Sequence, residues 1–329
     1  MRPRISVLTA VHNGERYLEE SSASVLRQTL ADFEFILVDD GSTDRTPEIL
    51  ERLRQQDSRV VVIRQERAGQ TRSLIRAVHE ARGEYLARHD ADDLSLPPRF
   101  DRQVHHLDAH PSVGVLGCAT DAIDERGAVL GPVPMRHGSS QVKRGLMTLK
   151  VTMVHASIMM RRAAYDAVGG YRAAFLLSQD IDLWLRMVQR DDVDNLPEPL
   201  VRWRINQSGT YVSRRELQLK YGGIALAFAR ERARYGTDSY ARLEEARGDL
   251  DRFASRYRMS GLLHAAWGEL VFRGLGDSSA ARGHFKQALA HGFIRPRTLG
   301  LFGWSLAGRA WPGGRPMPPA VRQPNQAVG

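Results

Sequence analysis

The string HDADD, His89 to Asp93, places three carboxylates within four positions. Unrelieved, such neighbours repel by roughly a few kcal/mol at a modest effective dielectric, and a divalent cation removes that penalty. In an extended or turning D-x-D, Asp90 and Asp92 face the same side. One can then reach a ribose or bridge to a metal that the other ligates. Mg2+ or Mn2+ held there binds phosphate oxygens and offsets the charge that builds on a departing diphosphate. The competing reading is a solvated acidic turn that caps a helix, since LSLPPR follows.

A second acidic pair, Asp39 and Asp40, ends the apolar run FEFILV and opens DDGSTDRT. Gly41 permits a turn, and Asp44 or Thr43 can cap a helix entered through Thr46 and Pro47. Capping accounts for Ser42 to Pro47. It does not account for two adjacent carboxylates at a strand end, which need donors such as a nucleobase N–H and ribose hydroxyls.

These clusters need elements to carry them. Ile5 to Ala10 reads as a buried strand ending in the turn formers His12, Asn13 and Gly14. Helical spacing follows from Glu15 to Thr29, then a strand from Phe33 to Val38. The alternation continues with a helix at Thr46–Gln55, a strand at Val60–Arg64, a helix at Thr71–Ala81 and a strand at Glu84–Arg88. This pattern predicts an α/β fold, a mostly parallel sheet flanked by helices. Ligands bind beyond the carboxyl ends of such strands, where His12-Asn13, Asp39-Asp40 and Asp90 to Asp93 should converge. After Pro98 the pattern weakens to a helix near Phe100–His110, a strand near Val113–Ala119 and a hairpin around Asp124–Gly127.

With 329 residues, 42% of them hydrophobic, the chain can form a large α/β domain and a smaller appendage. Beyond Thr210 it reads as helical, so the expected divisions are 1–210, a helical region at 211–310 and a disordered tail at 311–329. Leu262 to Leu289 suggests one tetratricopeptide-like hairpin, with Ala280, Ala281 and Phe285 at the fitting spacing. Phe302, Trp304, Leu306 and Trp311, beside Arg309 and Arg315, read either as an interfacial membrane anchor or as a packed helix. The formal charge of +9 calls for an anionic partner. The absence of a recognition-helix, zinc-finger or aromatic RNA-binding signature argues against nucleic acid. The single cysteine, Cys118, excludes an internal disulfide framework and fits the cytoplasm. No apolar run approaches a membrane span.

Taken in order, SVLTAVHNGERYL, SVLRQTLADFEFILVDDGSTDRT, ARGEYLARHDADD, GGYRAAFLLSQDIDLWLRM and LPEPLVRWRINQSGT resemble family 2 glycosyltransferases, an inverting class with the GT-A fold. The resemblance runs across roughly Ile5 to Thr210. It implies transfer of a sugar from a nucleotide-diphosphate donor to a glycan or lipid-linked acceptor, with Mn2+ or Mg2+ as cofactor. By that resemblance Thr9, Ala10 and Glu15 line the nucleotide pocket, Asp39 contacts the base with support from Asp40, and Arg72 lies near the nucleotide. Asp90 and Asp92 take the ribose and metal roles, Asp93 supports the following turn, and Asp180 is the general base. An inverting transfer requires such a carboxylate to accept the acceptor proton, although Asp180 and Asp182 also suit helix capping.

Further candidates carry two readings each. His155 is either a substrate or metal contact or a buried strand histidine. Trp184 either stacks on an acceptor sugar or belongs to the core. Arg202 and Arg204 either reach the diphosphate or sit on a solvated strand. The chain departs from the family pattern at Gln179 for glutamate, at Asn206 for histidine, and near Ile75 or Arg76 for asparagine. Two other functions compete. A nucleotidyltransferase of related fold would want a Gly-rich, Lys-containing loop that VHNGERYL lacks, and a binding protein without transfer activity would not need Asp90, Asp92 and Asp180. A lipid-linked acceptor would place the enzyme at the inner face of an anionic membrane.

Overall fold

A computed structural model of the chain describes residues 2–149, 153–206, 214–256, 264, 267–268, 278–290 and 296–306. The chain divides into two compact units, Met1–Asp249 and Leu250–Gly329. The helical segment after 210 therefore starts within the first unit.

The first strands are β1 (Ile5–Val11), β2 (Phe33–Asp40), β3 (Val60–Gln65) and β4 (Tyr85–Arg88). All eight residues of β2 and all of β1 but Ala10 are buried, as expected of parallel strands covered on both faces. β1 lies between β2 and β4, and β3 lies outside β2, all parallel. Helices α1 (Leu18–Leu26), α2 (Thr46–Gln56) and α3 (Gln70–Glu80) connect them. The register sets Val11 opposite Asp39, Asp40 opposite Gln65, and Leu8 opposite Arg88. The polar residues that follow these strands therefore leave the sheet along one edge.

The remaining strands are β5 (Leu94–Ser95), β6 (Val113–Ile123), β7 (Val129–Pro132), β8 (Met159–Arg161) and β9 (Asp192–Arg204). They extend the sheet to the order β3-β2-β1-β4-β8-β6-β9-β5, with β7 forming a hairpin on β6. β8 runs antiparallel to β4 and β6, whereas β6 and β9 are parallel. Flanking helices are α4 (Arg99–Ala109), α5 (Ser139–Leu146), α6 (Arg162–Ala167), α7 (Gln179–Met187), α8 (Arg215–Tyr235) and α9 (Tyr240–Glu245). The core of this unit joins Val7, Phe35, Leu37, Tyr85, Phe100, Leu116 and Val201. Among the described residues no helix is long and apolar enough to cross a membrane.

The second unit contains α10 (Leu250–Arg256), α11 (Ser278–Ala290) and α12 (Pro296–Leu306). Ala281 and Phe285 of α11 pack with Leu301 and Phe302 of α12, while Leu306 is exposed. Apart from 264, 267 and 268, the first arm of the suggested tetratricopeptide-like hairpin lies outside the described residues. So do Arg309, Trp311, Arg315, the side chain of Trp304 and the tail 311–329.

Candidate active site

At the edge formed by β1, β2 and β3, two loops clasp each other through bonds from backbone N–H groups to side-chain oxygens. Asn13, at φ 52°, donates its N–H to Ser42 Oγ at 2.9 Å and accepts from Thr43 N–H at 2.8 Å. Glu15 accepts from Arg45 N–H at 3.1 Å, and Asp44 accepts from the N–H groups of Glu15 and Thr46. Asp44 thus makes a turn ahead of α2, whose N-cap is Arg45 with no side-chain capping bond, so neither Asp44 nor Thr43 caps the helix as the sequence suggested. Gly41 sits at φ +68°, and a β-carbon there would lie 2.9 Å from Arg67 N, so glycine is needed where the loop after β2 approaches the loop between β3 and α3.

Asp39 accepts from Ser42 N–H at 3.0 Å. Asp40 is the more heavily committed of the pair. It accepts from Ala68 N–H at 2.7 Å, Gln65 Nε2 at 2.8 Å and Gly69 N–H at 2.8 Å. Burial pushes its carboxyl up, but the Ala68, Gln65, Gly69 and Ser73 donors together hold it below the usual carboxylate range. Asp40 therefore shapes the loop that opens α3.

The D-x-D turn follows β4. Asp93 N–H closes the turn on the Asp90 carbonyl at 3.3 Å. The fully buried Arg88 donates to Asp90 Oδ1 and, at 3.0 Å, to the Leu8 carbonyl. Asn206 donates Nδ2–H to Asp92 Oδ2 at 2.9 Å. Asp93 Oδ1 accepts from Arg204 N–H at 2.8 Å, which ties the turn to β9. Burial, then the charge of Asp90, pushes Asp92 up to about 6 against the opposing pull of Arg204 and Arg88. Burial also drives Asp93 well upward, with Asp92 and Asp90 adding to it.

One oxygen each of Asp90 and Asp92 is thus fastened by a protein donor, leaving the other without a side-chain donor among the described residues. That donor set fits Mg2+ or Mn2+, which bind through one or two carboxylates and complete their shell with substrate phosphates and water. Among the described residues no group of three or more His, Cys, Asp or Glu side chains encloses a metal.

Asp180 occupies the second position of α7, after Ser178, a non-glycine residue at φ 54° whose hydroxyl donates to the Gln218 carbonyl at 2.9 Å. Its Oδ1 accepts from Ile181 N–H at 2.9 Å. Burial pushes Asp180 up to about 6; the Ile181 N–H and the Arg88 charge oppose this and the Asp90 charge adds to it. Asp180 and Asp90 therefore share one electrostatic locus with Arg88. Tyr171 belongs to it too, since burial raises its phenol and the charges of Asp180 and Asp90 raise it further. His155 pairs with Tyr171 OH at 2.9 Å, and burial followed by Arg88 holds it neutral. It lies in a short 3-10 turn, His155–Ser157, instead of on a strand.

Several sequence candidates sit elsewhere or do other work. Thr9 is fully buried and donates to the His89 carbonyl at 2.7 Å, tying β1 to the turn after β4, so its hydroxyl lines no pocket. Ala10 is half-buried at the end of β1, and Arg72 is exposed on the first turn of α3. Trp184 is 1% exposed and packs edge-on against His155, so it offers no face on which a sugar can stack. Arg204 is neither a diphosphate ligand nor a solvated strand residue. It is 3% exposed, with donors spent on the Asp92 carbonyl at 2.8 Å, Glu20 Oε2 at 2.9 Å and the Asp124 and Glu125 carbonyls. Arg202 is half-buried opposite Leu94 and Asp121. Sequence reading missed Arg88, His89, Tyr171 and the amide role of Asn206. The signal available for Arg88 was an arginine inside the otherwise apolar strand YLAR.

The fold superposes on S. aureus TarS (residues 1–349, in complex with UDP-GlcNAc) at a TM-score of 0.61 and 16% identity, over 93% of this chain and 92% of that one. It also superposes on the mannosyltransferase PcManGT of Pyrobaculum calidifontis, in complex with GDP-Man and Mn2+, at a TM-score of 0.54 and 18% identity, over 94% and 86% of the two chains. These likenesses establish the fold, GT-A. At the level of sequence, an uncharacterized glycosyltransferase of Methanocaldococcus jannaschii is 33% identical over 230 residues, which span 68% of this chain and 79% of the relative. Residues 6–169, from β1 through the D-x-D turn to the end of α6, match glycosyl transferase family 2, and the chain belongs to that family and is a glycosyltransferase.

Proposed function

We propose that this enzyme moves a sugar from a nucleotide-diphosphate donor to a hydroxyl of a glycan or lipid-linked acceptor, with inversion at the anomeric carbon. The observation that carries this reading is the D-x-D turn beyond the carboxyl end of β4, where Arg88 fastens one oxygen of Asp90 and Asn206 one oxygen of Asp92; the charge of Asp90 also acts on Asp180, the candidate base. Donors of this class accompany the structural relatives, UDP-GlcNAc in TarS and GDP-Man in PcManGT.

In this mechanism Asp39 and the clasped loops after β1 and β2 receive the nucleoside, and Asp90 meets the ribose. Asp92, with Asp90, holds Mn2+ or Mg2+, which when bound neutralises charge on the leaving diphosphate. Asp180 takes the proton of the acceptor hydroxyl as that oxygen attacks the anomeric carbon from the face opposite the diphosphate. Its raised pKa makes it a stronger base than an ordinary carboxylate, and it remains ionised at neutral pH. A lipid-linked acceptor would draw the enzyme to the inner face of an anionic membrane, in keeping with the net charge of +9.

A thermal-shift screen of nucleoside diphosphates and nucleotide sugars, with and without Mn2+, tests the donor half. A ligand at 100 times its Kd stabilises the native state by about 2.7 kcal/mol. The stereochemical half is tested by proton NMR of the first-formed product. A product that keeps the donor's anomeric configuration rules out single displacement by Asp180.

A further inference from the structure

One buried polar chain has no part in the mechanism above. It runs from Arg99 through Ser95, His89 and Ser21 to the backbone of Asp90, and none of these four side chains is more than 3% exposed. Its direction follows from the chemistry of each group. The Asp90 carbonyl can only accept, so the Ser21 hydroxyl donates its one proton there at 3.0 Å. Ser21 Oγ must then accept from His89 Nε2 at 2.9 Å. At the other end Arg99 can only donate, so Ser95 Oγ accepts from Arg99 Nη1 at 2.8 Å and turns its own proton to His89 Nδ1 at 3.2 Å. Every donor points toward Asp90, and the partners determine which imidazole nitrogen holds the proton.

From this geometry we infer that His89 is a positioning residue, which acts through Ser21 to set the D-x-D turn so that Asp90 and Asp92 receive the metal and diphosphate together. The inference rests on the donor-site reading given above. Its logic is that of outer groups that orient the residues holding a metal. The turn is anchored at both ends of its first residue, with the carbonyl held by Ser21 and the carboxylate by Arg88. Thr9 and the Leu8 carbonyl hold the His89 backbone, so the ring cannot shift without moving β1.

The test uses the full chain and calorimetric binding of UDP, GDP, ADP and CDP, each with and without Mn2+. Ser21→Ala is expected to weaken Mn2+-supported binding about fivefold, the worth of one hydrogen bond, and to leave metal-free binding unchanged. Ser24→Ala is the matched control. Its hydroxyl, one turn along the same helix, bonds the Ser21 carbonyl at 2.6 Å and Ser95 N–H at 3.0 Å without touching Asp90. It should leave both affinities at wild-type values. His89→Leu should match or exceed the Ser21→Ala loss, and His89→Gln, whose amide still donates, should recover part of it. Wild-type Mn2+-supported binding in Ser21→Ala, or an equal loss with and without metal, overturns the positioning role alone. A wild-type enzyme that binds no nucleotide, or binds it without regard to Mn2+, refutes the donor-site reading and this inference with it.

Discussion

Asp40 and Asp180 are both carboxylates at the mouth of one sheet, yet their surroundings push them in opposite directions. Asp40 receives three donors within 2.8 Å, one from the end of β3 and two from the loop that enters α3, and these outweigh the cost of its burial. Asp180 receives only backbone N–H groups, from Ile181 at 2.9 Å and from its own residue, and burial carries it up to about 6. A carboxylate saturated with donors has no basicity to spare and serves the architecture. One that is desolvated and under-bonded retains a demand for a proton, which is what a general base requires.

Removing the under-bonded member gives the largest expected effect. Asp180→Asn should lower kcat on the order of 10²–10⁴-fold while leaving nucleotide-sugar affinity unchanged; turnover close to wild type would remove Asp180 as the base. In the wild type, transfer should fall as pH drops through about 6, because protonated Asp180 cannot accept the acceptor's proton. Stability should show the opposite trend. The folded carboxyl holds its proton more tightly than an unfolded one near 3.8, so ionising it costs stability. Between about pH 4 and 6 the wild type should therefore lose ground to Asp180→Asn as pH rises, a trend that paired melting curves would reveal.

On the donor side the comparison sharpens at Asn206, whose amide anchors Asp92 at 2.9 Å. Asn206→Ala should weaken Mn2+-supported nucleotide binding by about 10- to 100-fold, the usual cost of losing an outer-shell partner. Equal affinity in titration calorimetry would mean that Asp92 is aimed by other groups. Next in size, Asp40→Ala leaves the Ala68, Gly69 and Gln65 donors without their acceptor and should cost about 2 kcal/mol in urea unfolding. Because the folded pKa of Asp40 is depressed, its contribution is present above its unfolded value and is lost as pH falls through the folded one. The gap between wild type and variant should close in acid.

How much of this was legible in the sequence depends on how local the cause is. The alternation from Ile5 to Arg88 marks the strands because parallel strands covered on both faces must be continuously apolar. Asp39, Asp90 and Asp180 lie at element ends, where a string of residues reveals both the turn and the charge. What sequence could not give is partnership across the sheet. The donors of Asp40 come from 25 to 29 residues away. Arg204 alternates correctly for a strand, but β9 is covered where its guanidinium lies, and the partners that bury it come from α1, the D-x-D turn and the turn after β6. His155 read as a buried strand histidine, whereas it is half-buried in a 3-10 turn, and its neighbours Tyr171 and Trp184 arrive from separate segments.

Trp184 provides the smallest and last test, because it asks whether the Asp180 region is unreactive packing apart from its carboxylate. The indole is 1% exposed and edge-on to His155, and its Nε1–H has no hydrogen-bond partner among the described residues. Phenylalanine therefore forfeits no hydrogen bond and only part of the ring volume, and Trp184→Phe should cost about 1 kcal/mol in thermal unfolding. The acceptor KM should stay at its wild-type value, since no face of the ring is open to a sugar. A rise in KM with unchanged kcat would mean that α7 moves on acceptor binding to uncover the indole. In that case Asp180 would owe its raised pKa to a closed state that the acceptor opens, and the contrast with Asp40 would be one of conformation as well as of donors.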